Sequence, residues 1–332
     1  MLSVIRALLI LLVVILAAIF TLWGCLALWF RLPGPEGLRL FVVAAFGLIG
    51  VATVIAQFTA ARLRFLAVFG PALAGILVWW STIDPPTEGN WSPDVARQVT
   101  GSLNGEILTL TNVRNFQWRA AADFTQAWET RSYDLSTLTG VDLFMSYWSG
   151  PAIAHMVVSF GFENGEYLAW SVEVRREVNS GFSPLADAFK THTLVLVAAD
   201  ERDVVGTRTN IRGEDVQLYR IKADLDDERQ LLLKYVSAAN QMAEQPQWYN
   251  SVTANCTTVV MELIRTVIAD VPLDWRVFVN GYLPGYVYDR GVVDTKLSLE
   301  DLIEASKITA RAQQIGITPE FSAQIRQGIP AP

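Results

Sequence analysis

Beyond its apolar start the chain has one cysteine, Cys256, in the run Asn255-Cys256-Thr257-Thr258, and only two histidines, His155 and His192. A thiol becomes a strong nucleophile when a base and a helix N-terminus stabilise its thiolate. Cys256 heads a predicted helix over residues 255–269. Val259, Val260, Leu263, Ile264, Val267 and Ile268 repeat there at helical spacing, and Cys256 falls on the same stripe and faces inward. Asn255 or Thr253 is placed to cap this helix. The first-turn amides would then sit beside the sulfur as donors to an oxyanion. The ordinary alternative is a small buried hydrophobe. His155 changes the balance, because Ile153-Ala154-His155-Met156-Val157-Val158 is an apolar strand in which an imidazole has no packing advantage. His192, in Lys190-Thr191-His192-Thr193, reads as a surface or strand-end residue.

A Cys/His pair needs a third group to hold the imidazole in the right tautomer. Glu173 on the next strand is the candidate, and its position depends on the hairpin turn at Glu163-Asn164-Gly165-Glu166. A two-residue Asn164-Gly165 turn pairs His155 with Val174 and sends Glu173 to the other face. A three-residue loop with Gly165 left-handed sets His155 opposite Glu173. Both registers are open at this level, as is a solvated cluster of Glu173, Arg175 and Arg176.

The elements that must position these groups read as α+β. Strands are expected at 106–113, 141–148, 153–162, 167–174, 193–198 and 216–221, and helices at 224–245 and 255–269. Ser298 and Asp301 resemble a capping box for one helix over 299–313, and Thr318-Pro319 opens a short last helix.

Ahead of this lies a different composition. Residues 7–30, 40–61 and 65–83 are free of charge, and each is long enough to cross a bilayer as a helix. The first is longer than a signal h-region and no small-residue cleavage site follows it, so a retained span is expected. Residues 1–83 therefore form a membrane domain and residues 84–332 a second, extracytoplasmic domain. Arg6, Arg62 and Arg64 against Arg31 and Arg39 give a slight positive-inside bias that puts the second domain outside. Residues 1–83 carry five arginines against Glu36, a net of +4, which leaves −11 of the chain's −7 to residues 84–332. A domain that acidic has no electrostatic footprint for nucleic acid. Two cysteines and two histidines at these separations match no zinc spacing, so no metal is expected. With no phosphate-binding glycine motif, no cofactor is expected either.

Several blocks resemble, in order, the Lnb N-terminal periplasmic domain family. They are Asn112-Val113-Arg114-Asn115-Phe116, Ala154-His155, Ser159-Phe160-Gly161-Phe162, Ser171-Val172-Glu173-Val174-Arg175-Arg176-Glu177, Asp200-Glu201-Arg202-Asp203, Tyr249-Asn250 and Asn255-Cys256-Thr257-Thr258. The order of a strand-borne histidine and a later Asn-Cys box is also similar to the permuted papain-like acyltransferases. The three membrane helices are read from the charge-free runs; for the domain that follows them the resemblance implies an α+β permuted papain-like fold, with an antiparallel sheet packed on the cysteine helix. It implies Cys256 as nucleophile and His155 as base, and puts Glu173, the third catalytic candidate, in the family's Ser-x-Glu-x-Arg block. Asn255, Thr257 and Arg202 are the expected substrate-binding residues; Arg202 or Arg208 could hold a phosphate head group, though a structural ion pair is the default reading for both. The implied protein is a bacterial multi-pass inner-membrane protein with its C-terminal domain in the periplasm. It would be a thiol acyltransferase taking acyl groups from a phospholipid donor, with a lipoprotein as a possible acceptor. The arrangement departs from the family, whose membrane helices follow the periplasmic domain. Two other readings stand beside this one: a cell-envelope cysteine peptidase or amidase using the same pair, and a non-catalytic sensor or scaffold.

Overall fold

The computed structural model describes residues 2–332, which divide into two compact units. The first comprises residues up to 86 together with 183–191, and the second the remainder. Residues 183–191 were expected in the second domain. They group with the first because Phe189 stacks on Phe30 and meets Trp80, while Lys190 Nζ donates to Trp80 O at 2.8 Å.

The first unit holds helices α1 (Leu2–Arg31), α2 (Glu36–Ala56) and α3 (Arg62–Ser81), with a short α4 (Pro184–Asp187). All three long helices have the length and apolarity to cross a membrane. Most of their large apolar side chains face outward, as lipid-facing residues do. Inside, Phe46 stacks on Phe69, and α1 meets α2 so closely that a Cβ on Gly50 would lie 2.0 Å from Thr21 Oγ1. The helices start ahead of the charge-free runs, because a helix backbone continues through charged residues that a hydropathy criterion excludes, and α2 ends early at Ala56, where residues 57–61 turn into α3.

The second unit is a sheet covered on both faces. Its strands are β1 (Thr100–Asn104), β2 (Ile107–Arg114), β3 (Gln117–Ala120), β4 (Asp123–Thr125), β5 (Trp128–Asp134), β6 (Leu138–Tyr147), β7 (Ala154–Phe162), β8 (Tyr167–Arg175), β9 (Thr193–Asp200) and β10 (Asp215–Ile221). The order is β1-β2-β9-β8-β7-β6-β10, with β5 also on β2 and β3–β4 a separate ribbon. Neighbours run antiparallel except at Arg114–Ala199, where β2 and β9 touch in parallel. The fold is α+β with a sheet-containing C-terminal domain, as read from sequence.

Alternation along β7 and β8 splits the core in two. Met156, Val158, Phe160, Leu168, Trp170 and Val172 face α6 (Leu225–Glu244) and α7 (Cys256–Val267). Val157 and Ala169 face α5 (Glu201–Gly206), α10 (Thr309–Ile315) and α11 (Phe321–Ile325). Between α7 and α9 (Leu299–Ser306) lies α8 (Leu283–Asp289). The single helix expected over 299–313 is in fact α9 and α10. At the break the chain serves the edge of β10: Ile308 N donates to Val216 O, and Thr309 Oγ1 accepts from Val216 N. The free edge of a sheet outbids two helical hydrogen bonds there. The sequence shows no sign of β5, whose Trp-Glu-Thr-Arg-Ser-Tyr-Asp run lacks apolar alternation because the strand is mostly half-buried, with Tyr133 its one buried side chain.

Candidate active site

The β7–β8 hairpin sets the geometry. Phe162 N donates to Glu166 O, so the loop is the three residues 163–165, and Gly165 is left-handed at φ +81°. The register runs Gly161 with Tyr167 through Val157 with Ser171 and then stops. Carried two residues further, it brings His155 opposite Glu173, and the side chains do meet, Nε2 lying 3.4 Å from Oε1. Of the two registers open in the sequence, the three-residue loop is the one the chain adopts.

The strands part beyond Val157 and Ser171, and the Met156 N–H lies where it favours the Cys256 thiolate. Cys256 is buried at the start of α7, on the stripe with Val260 and Met261. Asn255 caps that helix: its Oδ1 accepts from Thr257 N at 2.9 Å and Thr258 N at 3.0 Å, and Thr258 Oγ1 accepts from Asn255 N in return. This corrects the expectation of several open first-turn amides. The Asn255 carboxamide takes two of them, and among the described residues only the Cys256 N–H remains without an acceptor.

His155 lies beside the thiol, close enough that each shifts the ionisation of the other. Burial and the Arg208 charge push the imidazolium down, but the charge of Glu173 and the interaction with Cys256 outweigh them and carry it up to about 9. Burial pushes the thiol up, and His155, the Met156 N–H and the Thr257 hydroxyl more than reverse that, so the thiol is lowered. Burial also opposes ionisation of Glu173, yet His155 and Arg208 hold its carboxyl well below the usual range. The arrangement favours a thiolate beside an imidazolium.

Three further residues complete the site. Ser171 Oγ lies 2.7 Å from His155 Nε2 and donates to Glu173 Oε1 at 2.7 Å. Arg208 donates to the same Oε1 at 2.8 Å. Asn280 grips the start of β7, accepting from Ala154 N and donating to Ala154 O, and its Nδ2 also reaches Thr257 Oγ1 at 2.6 Å. Ser171 was legible in principle, since it stands two residues before Glu173 and therefore on the same strand face. Of the two readings open for Arg208, a head-group ligand or a structural ion pair, the chain adopts the ion pair, with Glu173 as its partner. Asn280 carries no sequence signal, being in a loop 24 residues past the cysteine.

Arg208 owes its place to a buried anchor. Asp203, on α5, accepts from Arg114 Nε and Nη2, Phe116 N and Trp118 Nε1. The chain then widens into a π turn, Arg212 N to Thr207 O, that turns Arg208 toward Glu173. Two blocks far apart in sequence, 112–116 and 200–203, thus meet and fix the arginine.

The remaining expected residues lie elsewhere or are already engaged. Asn255 is spent on the cap and on Ser251 O, and Thr257 is 1% exposed and held by Asn280. Arg202 is not brought to the sulfur. It bonds Asn115 and Asp200, and Asp200 pairs with Leu168 while Glu173 pairs with Val195, five residues along the ladder. That separation is about 17 Å at the usual strand rise. His192 is buried just ahead of β9 and bonded to Ser180, so of its two readings, surface or strand-end, the strand-end one is what the structure shows. Among the described residues no group of three His, Cys, Asp or Glu side chains could hold a metal.

The loop that carries Asn280 also exposes Trp275, Phe278 and Tyr282, and Ile153 is exposed two residues before His155. Gly281 ties loop and strand together, its N–H donating to Ala152 O at 2.9 Å. No curated protein and no solved structure matches the chain. Residues 124–281, which hold every side chain of this site, match the Lnb N-terminal periplasmic domain family.

Proposed function

We propose that this protein is a membrane-tethered thiol acyltransferase whose Cys256 takes an acyl group from a lipid ester and passes it to an amine. The observation that carries the reading is the pairing of Cys256 with His155, backed on the far edge of the imidazole by Ser171, Glu173 and Arg208. The thiolate attacks the ester carbonyl, and the Cys256 N–H donates to the oxyanion. The tetrahedral adduct expels an alkoxide, which takes a proton from His155, and a thioester remains. An amine then attacks the thioester as His155 accepts its proton, giving an amide and regenerating the thiol. The order of strand-borne base and later cysteine helix is that of a permuted papain-like domain, and the family match supports a periplasmic location.

The exposed aromatic residues Trp275, Phe278 and Tyr282 beside Asn280 favour a lipid over a polar peptide stem. The three apolar helices would tether the domain to the inner membrane. A lipoprotein amine is the acceptor in this reading. Mass spectrometry of the protein after incubation with phospholipid tests it. One acyl chain added at Cys256, absent from Cys256→Ala, is the expected result. No adduct on the wild-type protein, together with full activity of Cys256→Ala, would sink the scheme.

A further inference from the structure

A serine hydroxyl has one proton to give. Ser171 gives it to Glu173 Oε1 at 2.7 Å, and its oxygen lies 2.7 Å from His155 Nε2. With its proton committed to a carboxylate, that oxygen can only accept from the imidazole, so Nε2 carries hydrogen. The direct path from Nε2 to Glu173 Oε1 is 3.4 Å, outside the usual range of an N–H···O bond. Arg208 donates to the same Oε1, which keeps the carboxylate an acceptor. Ser171 is 1% exposed, so water cannot replace its hydroxyl without rearrangement.

We propose that Ser171 is the positioning residue of His155, and that Glu173 acts on the imidazole through the serine. The chain of donation is Nε2–H to Ser171 Oγ, then Ser171 O–H to Glu173. It fixes the neutral tautomer with the proton on Nε2 and leaves Nδ1 for the thiol. The purpose of this relay rests on the Cys/His reading above, but its existence does not.

The test uses the full chain in nanodiscs with Cys25→Ser and ¹⁵N-labelled histidine. Only two imidazoles contribute signals, and His155→Gln identifies which belongs to His155. Spectra at about pH 10, above the range where His155 loses its second proton, report the neutral tautomer. The wild-type protein is expected to hold the proton on Nε2. Glu173→Gln keeps it there, because a carboxamide oxygen still accepts from Ser171, and Ser171→Thr keeps it as well. Ser171→Ala is expected to mix the tautomers and to slow iodoacetamide alkylation of Cys256 at pH 7 by about tenfold, the effect of about one pKa unit. An Nε2–H tautomer and an unchanged alkylation rate in Ser171→Ala would overturn the relay. So would loss of that tautomer in Glu173→Gln alone. Both signals are read on the resting protein, so failure to form an acyl-enzyme would remove the transferase reading and leave the relay intact.

Discussion

His155 and Glu173 face each other across the open end of a hairpin, Nε2 3.4 Å from Oε1, because the loop at its other end has three residues and not two. Gly165 makes that loop possible by taking φ +81°. A side chain there meets no neighbouring atom, so the penalty of substitution is purely conformational. Gly165→Ala is expected to cost about 1 kcal/mol, read as a lower midpoint of thermal unfolding. Alkylation of Cys256 should be unchanged, since the register survives.

The paired ionisations set a pH window. His155 is raised from 6.5 to about 9, so its contribution to stability is complete below 6.5 and is lost as pH rises through 9. Glu173 is depressed below 4.5, so its contribution is present above 4.5 and fades as pH falls below that value. In the proposed reaction the imidazolium must protonate the leaving alkoxide, which would place the alkaline limb of activity near 9. The alkylation rate of Cys256 measured against pH should rise below the ordinary thiol range. In His155→Ala burial acts on the thiol without its counterion, and that rise should move to higher pH.

Arg208 is 5% exposed at its side chain and shares Glu173 with the imidazole. Arg208→Met leaves a buried carboxylate with less compensation, at a cost of about 3 kcal/mol by analogy with other broken buried pairs. Thermal unfolding would register the loss. Because the arginine also repels the imidazolium, its removal should shift the alkaline limb of activity upward in whatever folded protein remains. A downward shift would contradict the arrangement.

The sequence made the sheet and the pair legible for physical reasons. His155 stood out because an imidazole in an apolar strand needs a polar neighbour, and Cys256 because it lay on the buried stripe of a capped helix. The register did not follow from sequence, since the same Asn164-Gly165 can close a two- or a three-residue loop. Arg208 was illegible as a partner of Glu173 because a π turn, and not a regular helix, decides where it points. Arg202 drew attention as a basic residue within a family block, but a nearby asparagine and aspartate hold it along the far part of the sheet.

Trp275, Phe278 and Tyr282 offer a direct way to separate lipid from polar substrates. Trp275→Ser combined with Phe278→Ser removes exposed apolar surface without touching the sulfur. For a lipid donor KM should rise about tenfold, equivalent to about 1.4 kcal/mol, with little change in kcat. Alkylation by iodoacetamide, which needs no apolar contact, should be unaffected. Equal loss in both assays would mean that the loop supports the fold and not the substrate.

Gly281 leaves no room for a side chain. A Cβ at this position would lie 2.0 Å from Pro151 O and 2.6 Å from the Ala152 carbonyl carbon, both backbone atoms that cannot rotate away. The same residue donates to Ala152 O and accepts from Tyr147 Oη, and its neighbour Asn280 clamps Ala154. Gly281→Ala must therefore push the loop from the start of β7, breaking the clamp one residue before His155. Overpacking against fixed backbone is expected to cost about 2–3 kcal/mol, seen in thermal unfolding. Displacement of the imidazole should also slow Cys256 alkylation at pH 7. Asn280→Ala removes the clamp without the clash, so it should reproduce the slower alkylation. Wild-type alkylation in both variants would show that loop and strand hold the pair independently of Asn280.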